Sequence, residues 1–498
     1  MTTQTIRNGT SIEVVIPTGQ TLKVVAVSGT YNASVVRGTG IGTTLSTLAT
    51  GASYGPYAYD SVVRLISSGA SEIDFDVAVT PDVATDTVAN YAFAPLTGAV
   101  TGLVGPGGVD VPLAVALGVV GNRCSIPTGH TSASNAQMMS RTKHTAMDSV
   151  TKLKIAYANF WADVGVESTP GASTTYTAGI EYPIGTVTAV TFSNGSNTGV
   201  ATDGSIITSD WVNITIPRGA TFFVRTWQSN STGVVLVARR SLANQAGVVP
   251  TSGEWHTIGL TTTDYTKAAT NVNNGSTSNS FVPLAILGYT KRPSFLIVGD
   301  SRSSPAATNE TIPNSVGATG EVERSIAKGY GSINASDPGE TLLGVSTTAY
   351  TRRLPLADWC THIIIDLGIN DFTAGKTSTQ AVTYLNTICN LLPGKSIFAC
   401  TVSPKSASTD SWATTVNQTA DATSNANRIA YNGIMRTNPP PKISATFDVA
   451  DQTESSRDSG LWRVNGAANG YTLDGLHGNS TANAAIEASQ IFSAVQFF

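Results

Sequence analysis

The rhythm of hydrophobic positions changes once along this chain of 498 residues, near residue 291. Before that point apolar residues come in short runs or alternate with polar ones, and clusters of Gly, Pro, Asn and Ser separate the runs. That is the pattern of strands joined by turns. Residues 11–16 and 21–28 are rich in Val and Ile and flank Pro17-Thr-Gly-Gln, a turn sequence. With further strands predicted at 31–37, 61–66 and 72–79, residues 1–84 read as a small all-β module. Residues 85–124, which include LTGAVTGLVGPGG at 96–108, carry Gly, Ala and Val without a period and read as a connector. Strand rhythm returns over 125–290, where Leu153, Ile155 and Tyr157 alternate with Lys152, Lys154 and Ala156, and where 212–217 and 222–227 repeat the pattern. Turn clusters at 193–197 and 273–280 divide these strands, and the spacing predicts a jelly-roll-like β-sandwich.

After residue 291, strand candidates at 295–298, 330–335, 362–367, 396–402 and 443–449 alternate with helical patterns. Within 379–392, Val382, Leu385, Cys389 and Leu392 fall on one helical face. A second helix is predicted over 413–435, ahead of Asn438 and three prolines, and a last one over 481–495. Alternating strands and helices imply a parallel sheet covered on both faces, so 291–498 reads as a three-layer α/β domain. The whole is multidomain, with an all-β module, a β-sandwich and then α/β. The run Phe295-Leu-Ile-Val298 has no polar alternation, as suits a strand buried on both faces. Gly299 permits a sharp turn at its carboxyl end, where sites in such sheets gather, so Ser301 stands where a nucleophile is useful. Taken alone, Gly299-Asp-Ser301 reads as an ordinary turn with an N-capping serine.

Composition narrows the setting. Charged residues make up 12% of the chain, about half the usual level, and there are 47 glycines. Ser, Thr and Asn carry the polarity, which fits a β-rich extracellular or particle-borne protein. A net charge of −4 without a Lys/Arg cluster gives no electrostatic reason to expect a nucleic-acid partner. Cys124, Cys360, Cys389 and Cys400 show no paired spacing and read as buried thiols; neither metal nor cofactor is expected. The opening MTTQTIRNGTSIEVV has no apolar core of signal-peptide length and no stretch reaches membrane-spanning length. No membrane insertion is therefore expected, and a protein acting outside the cell would leave it by a route other than a cleaved signal, for example lysis. Trp211, Trp227 and Trp255 suit either sugar stacking or the sandwich core, the core being the simpler reading.

Four short motifs follow the strand order of the last domain: Gly299-Asp-Ser301, then Asn334-Ala-Ser-Asp-Pro-Gly339-Glu-Thr341, then Gly368-Ile-Asn370-Asp371, and last Asp474-Gly-Leu-His477. All lie at strand ends or in loops beyond them, which one edge of the sheet would collect. From about residue 293 onward the chain resembles the SGNH (GDSL-type) hydrolases, whose four blocks occur here in the family's order. The resemblance implies that Ser301 is the nucleophile, His477 its general base and Asp474 the carboxylate that orients the imidazole. It makes the Ser301 amide, the Gly339 amide and the Asn370 side chain the oxyanion hole. Two positions depart from the pattern: Arg302 replaces the family's name-giving leucine, and Gly478 follows the histidine where proline is frequent.

The chemistry agrees with that assignment. A serine hydroxyl needs a base within hydrogen-bond reach, and the chain has five histidines. His130, His144, His256 and His362 sit in or beside strand patterns and read as structural, whereas His477 lies in a Gly-rich loop three residues from a carboxylate. Asp371 reads as a loop-ordering residue, Asp366 as structural, and Arg302, Trp462 and Arg463 as candidate pocket walls, with a solvated loop the equal alternative for Trp462 and Arg463. The implied activity is a serine esterase removing O-acetyl groups from a carbohydrate such as a bacterial capsule or lipopolysaccharide. The arrangement of domains also resembles bacteriophage tail fibres or tailspikes bearing an SGNH domain, which implies a virion location, a homotrimer and other tail proteins as partners. Two alternatives stand beside it: a non-catalytic glycan-binding fibre, and a secreted bacterial lipase or aryl esterase.

Overall fold

The computed structural model describes residues 115–131, 135–237, 253–268, 281–304, 309–310, 313–347, 350–492 and 497, with the backbone of seven strands between residues 4 and 81. The chain divides into two units, Met1–Leu117 and Gly118–Phe498. In the first, the strands form two antiparallel sheets. One runs in the order Gln4–Ile6, Ile73–Pro81, Gln20–Val27 and Ser53–Tyr54; the other runs Ser11–Ile16, Ser61–Ser67 and Tyr31–Arg37.

The second unit opens with two antiparallel sheets face to face. Tyr157 on strand Val150–Ala158 stacks on Tyr176 of strand Thr174–Glu181, ring centres 4.8 Å apart, and these strands belong to different sheets. Both phenols are buried and both are satisfied, Tyr157 by Thr226 and Tyr176 by the Ala158 carbonyl. This meets the requirement that polar atoms in a core be hydrogen-bonded. Of the three candidate tryptophans, Trp255 is in the core, whereas Trp211 and Trp227 are half-buried, Trp211 stacked on Tyr289.

The α/β half carries six parallel strands in the order Ile443–Phe447, Ser396–Cys400, His362–Asp366, Ser294–Gly299, Gly331–Asn334 and Cys124–Ser125. Side chains alternate across the sheet. Phe295, Ile297, Ile364, Phe398 and Phe447 share one core with Val322, Ile326 and Ile486, while Leu296, Val298, Ile363 and Ile365, facing the other way, are equally buried. The residues expected as a connector carry two strands at their end. Ala116–Val119 lies in a sandwich sheet and Cys124–Ser125 edges the parallel sheet, so this short stretch stitches the two halves together. Among the described α-helices, those beginning at Ser378, Asn425 and Ser480 exceed five residues. A helix starts at Ser378 behind a Thr377/Gln380 capping box, as its sequence signals. The helix predicted over 413–435 begins only at Asn425. Ahead of it, the Asp410 carboxylate collects the Thr414 amide and the Asn417 side chain, and strand Gln418–Ala420 pairs with Ser406–Ser408. Such side-chain bonds to nearby backbone compete with helix formation. The last helix spans Ser480–Ser489 and ends at Gln490, whose φ is +56°.

One contact between the sandwich and the α/β half bears on function. The hairpin Trp161–Asp163 and Val166–Ser168 turns at Val164-Gly165 against the loop of Gly339. Val164 has φ +52°, a conformation that costs a residue with a branched Cβ about 1–2 kcal/mol. Behind the turn lies a buried ionic cluster. Arg353 donates to Glu167 of the hairpin at 3.0 Å and to Glu340 beside Gly339 at 3.1 Å, with Asp337 4.0 Å away. Asp337 in turn accepts the Gly165 amide at 2.6 Å. Arg353 is wholly buried, so its removal takes a buried positive charge away from three carboxyl groups whose side chains are themselves buried. Arg353→Ala is expected to cost about 3–5 kcal/mol of stability, read by chemical denaturation. A cost near zero would contradict a cluster held by that guanidinium.

Candidate active site

Ser301, Gly339 and Asn370 follow three adjacent strands at the centre of the parallel sheet, with the serine's strand in the middle. Their loops therefore meet at the carboxyl edge. His477 comes from the loop between the last strand and the last helix. Its Nε2 lies 2.8 Å from Ser301 Oγ and its Nδ1 lies 2.7 Å from Asp474 Oδ2. Asp474 is held in turn: Asn309 donates to Oδ2, and the backbone amides of Leu476 and His477 donate to Oδ1, each of the latter at 2.8 Å. Burial pushes the Asp474 carboxyl up, but the His477 ring and these amides outweigh it and hold the group well below the usual carboxylate range. An ionised Asp474 keeps the proton on Nδ1, which leaves Nε2 free to accept from the serine hydroxyl.

The histidine loop is braced from below. Gly475 has φ +71°, and a Cβ there would sit 1.9 Å from the Ser406 carbonyl oxygen, so only glycine lets the loop lie this close. Trp462, expected as a pocket wall, is completely buried beneath the loop and donates its indole N–H to the Gly475 carbonyl at 2.8 Å. An indole that must satisfy its N–H in the interior serves as a prop. Arg302 is also not a wall: it is buried, and its guanidinium reaches the carbonyls of Ser403, Pro404 and Leu476, tying the serine's turn to the histidine's loop. Arg463, half-buried, spends its donors on the carbonyls of Glu454 and Asp451.

On the other flank, Gly339 has φ +82°, and among the described residues no acceptor takes its N–H or that of Ser301. Asn370 donates one side-chain N–H to the Glu340 carbonyl at 2.8 Å, which seats the amide beside the Gly339 loop. Asp371 accepts the amides of Leu342 and Leu343, fastening the same loop to the asparagine's helix. The other histidines are engaged elsewhere: His144 with Thr142 and the Asn122 carbonyl, His362 with Thr361 and the Phe497 carbonyl, and His130 against Trp161; His256 is buried in the sandwich, which pushes it down to about 4. Among the described residues no group of three or more His, Cys, Asp or Glu is arranged to hold a metal ion, and no helix is long and apolar enough to cross a membrane. All four cysteines are buried.

Under the serine lies a cluster that the sequence does not announce. Asp300, Asp366 and Glu321 are buried around the single Arg302 guanidinium. Burial pushes Asp300 up to about 7 and Glu321 up to about 8, with the neighbouring carboxylates adding and Arg302 opposing; Asp366 rises for the same first reason. Ser303 donates to Asp366 at 2.5 Å and Ser403 to Glu321 at 3.1 Å, while Glu321 Oε2 has no hydrogen-bond partner among the described residues. Asp300 could be read from the motif, but Glu321 lies in no motif, and only the fold brings it here.

Comparison with known proteins gives likeness at low identity. No family model matches the chain, and no curated protein matches it. Among solved structures it is similar to the psychrotrophic esterase EstA from a Pseudoalteromonas species, at 18% identity over 41% of this chain and 98% of that one, TM-score 0.28. It is also similar to a family two carbohydrate esterase from Clostridium thermocellum solved with cellohexaose, at 12% identity over 76% and 97% of the two chains, TM-score 0.30. A family 3 carbohydrate esterase from Talaromyces cellulolyticus matches at 15% identity over 41% and 98%, TM-score 0.28.

The carboxyl cluster sets a pH dependence of stability. Glu321 has a raised value in the fold, so the fold favours its protonated form. Its contribution is fully present below the ordinary glutamate value of about 4.3 and is lost as pH rises towards about 8. Glu321→Gln, neutral at every pH, should therefore lose less melting temperature than the wild type between pH 5 and pH 9. Parallel losses in the two proteins would contradict the buried cluster.

Proposed function

We propose that this chain is a serine esterase that removes short acyl groups, above all acetyl, from a carbohydrate. The single observation that carries the reading is the unbroken line of hydrogen bonds from Asp474 through His477 to Ser301. In the proposed reaction, Ser301 Oγ attacks the ester carbonyl while His477 Nε2 takes its proton. The resulting oxyanion is met by the amides of Ser301 and Gly339 and by the Asn370 side chain, donors whose individual loss typically costs about 3 kcal/mol of barrier. His477 then gives its proton to the departing alkoxide, leaving an acyl-serine. Water, deprotonated by His477, releases the carboxylic acid and restores the serine.

The carbohydrate part of the reading draws support from a chain poor in charge and from a sandwich joined directly to the site's own half. In the same proposal the substrate is an acetylated bacterial surface polysaccharide. The protein rides on a phage tail as a homotrimer, and its first unit attaches to other tail proteins.

Incubation with a panel of O-acetylated polysaccharides, and with 4-nitrophenyl acetate, should release acetate. Ser301→Ala should lower turnover at least about a thousandfold, and Asp474→Asn by about four orders of magnitude, because the amide leaves the imidazole in the wrong tautomer. Undiminished turnover by Ser301→Ala would remove the assignment. Glycan binding by a wild-type protein that releases no acetate would favour a binding fibre.

A further inference from the structure

The sandwich brings one exposed apolar side chain against the Gly339 loop. The turn of its hairpin, Val164-Gly165, lies against Gly339. A Cβ built on Gly339 would come within 3.2 Å of Val164 Cγ1 and 3.6 Å of Val164 Cα. Val164 is nevertheless 68% exposed, so its isopropyl group is packed on one side only and stands open to solvent beside the loop. Its backbone is left-handed, where a residue with a branched Cβ is disfavoured and glycine or asparagine is at home. An exposed apolar side chain in a costly conformation gains nothing for the fold from its own burial. Strain of this kind collects at functional positions.

Which part of a substrate it would meet follows from the strand order. The histidine loop is tied to the loop after strand Ser396–Cys400, through the Ser406 amide on the Gly475 carbonyl and the Arg302 contacts. Gly339 follows strand Gly331–Asn334, on the opposite side of the serine's strand. The leaving alkoxide must lie towards His477, which protonates it. The oxyanion meets the Gly339 amide on the other flank, and with the leaving oxygen held at His477 the acyl substituent is left the space beside the Gly339 loop, where Val164 stands.

We propose that Val164, carried by the sandwich, is the wall that limits acyl-group size and thereby sets specificity for short acyl esters. The proposal rests on the esterase reading above and adds a second function to the sandwich. Its hairpin completes the site, and the Arg353 cluster with Glu167 and Glu340 holds that wall in register with the Gly339 loop.

The test is a pair of substitutions assayed with 4-nitrophenyl acetate, butyrate and hexanoate, with melting temperature as the folding control. Val164→Gly removes the wall and suits the left-handed backbone, so it should fold at least as well as the wild type. It should also raise the butyrate-to-acetate ratio of kcat/KM by about tenfold, the scale at which a pocket discriminates a methylene or two. Val164→Phe should move the ratio the other way. A parallel series of acetates with leaving groups of different size should respond much less. Unchanged acyl ratios in both folded variants, or a change confined to the leaving-group series, would overturn the inference while leaving the esterase reading intact. A wild-type protein inactive on every ester would overturn both.

Discussion

A serine hydroxyl is inert until a neutral imidazole nitrogen faces it, and here that nitrogen depends on one carboxylate. Asp474 receives donors from Asn309, Leu476 and both the backbone and ring of His477. Together they fix where the carboxylate sits, keep it ionised and settle which ring nitrogen bears the proton. The loop carrying both residues has little regular structure of its own. It keeps its shape because Trp462 props the Gly475 carbonyl from beneath and Arg302 reaches across from the serine's turn to the Leu476 carbonyl. Ser301 and His477 are thus bound to each other twice, once through their own hydrogen bond and once through a buried guanidinium.

The second constraint comes from outside the α/β half. Arg353 joins a carboxylate of the sandwich hairpin to one next to Gly339, and the Asp337 carboxyl accepts an amide of the same hairpin. A buried cluster of this kind is a weak source of net stability but a strict one of geometry, since every alternative packing strands a charge. The sandwich is therefore coupled to the position of the Gly339 amide. Residues 116–125 reinforce the coupling by passing directly from a sandwich sheet into the edge of the parallel sheet.

Much of the site was legible in the sequence because its residues stand at strand ends, and strand ends are what hydrophobic runs mark best. Phe295 to Val298, Ile363 to Ile365 and Ile397 to Ala399 are buried on both faces and announce themselves; Ser301 and Asn370 follow at short distances. His477 was legible for another reason, a carboxylate three residues away in a Gly-rich loop. What the sequence concealed was orientation and long-range company. Trp462 and Arg302 looked like pocket walls because their size and polarity suit a surface, yet both are buried under the loops they brace. Residues 413–424 carry helix-compatible residues, but Asp410 holds them in turns. Glu321, Glu167 and Val164 belong to no motif at all, and they reach the site only through tertiary packing, Glu321 against Ser403 82 residues away and Glu167 against Arg353 186 residues away.

The central claim is that Ser301 is activated by His477. It is tested most directly by treating the protein with an organophosphonate ester and locating the adduct by mass spectrometry. The expected result is a single modification on the peptide containing Ser301, absent when His477→Ala removes the base. No adduct, an adduct on another residue, or undiminished labelling of the His477→Ala protein would contradict it.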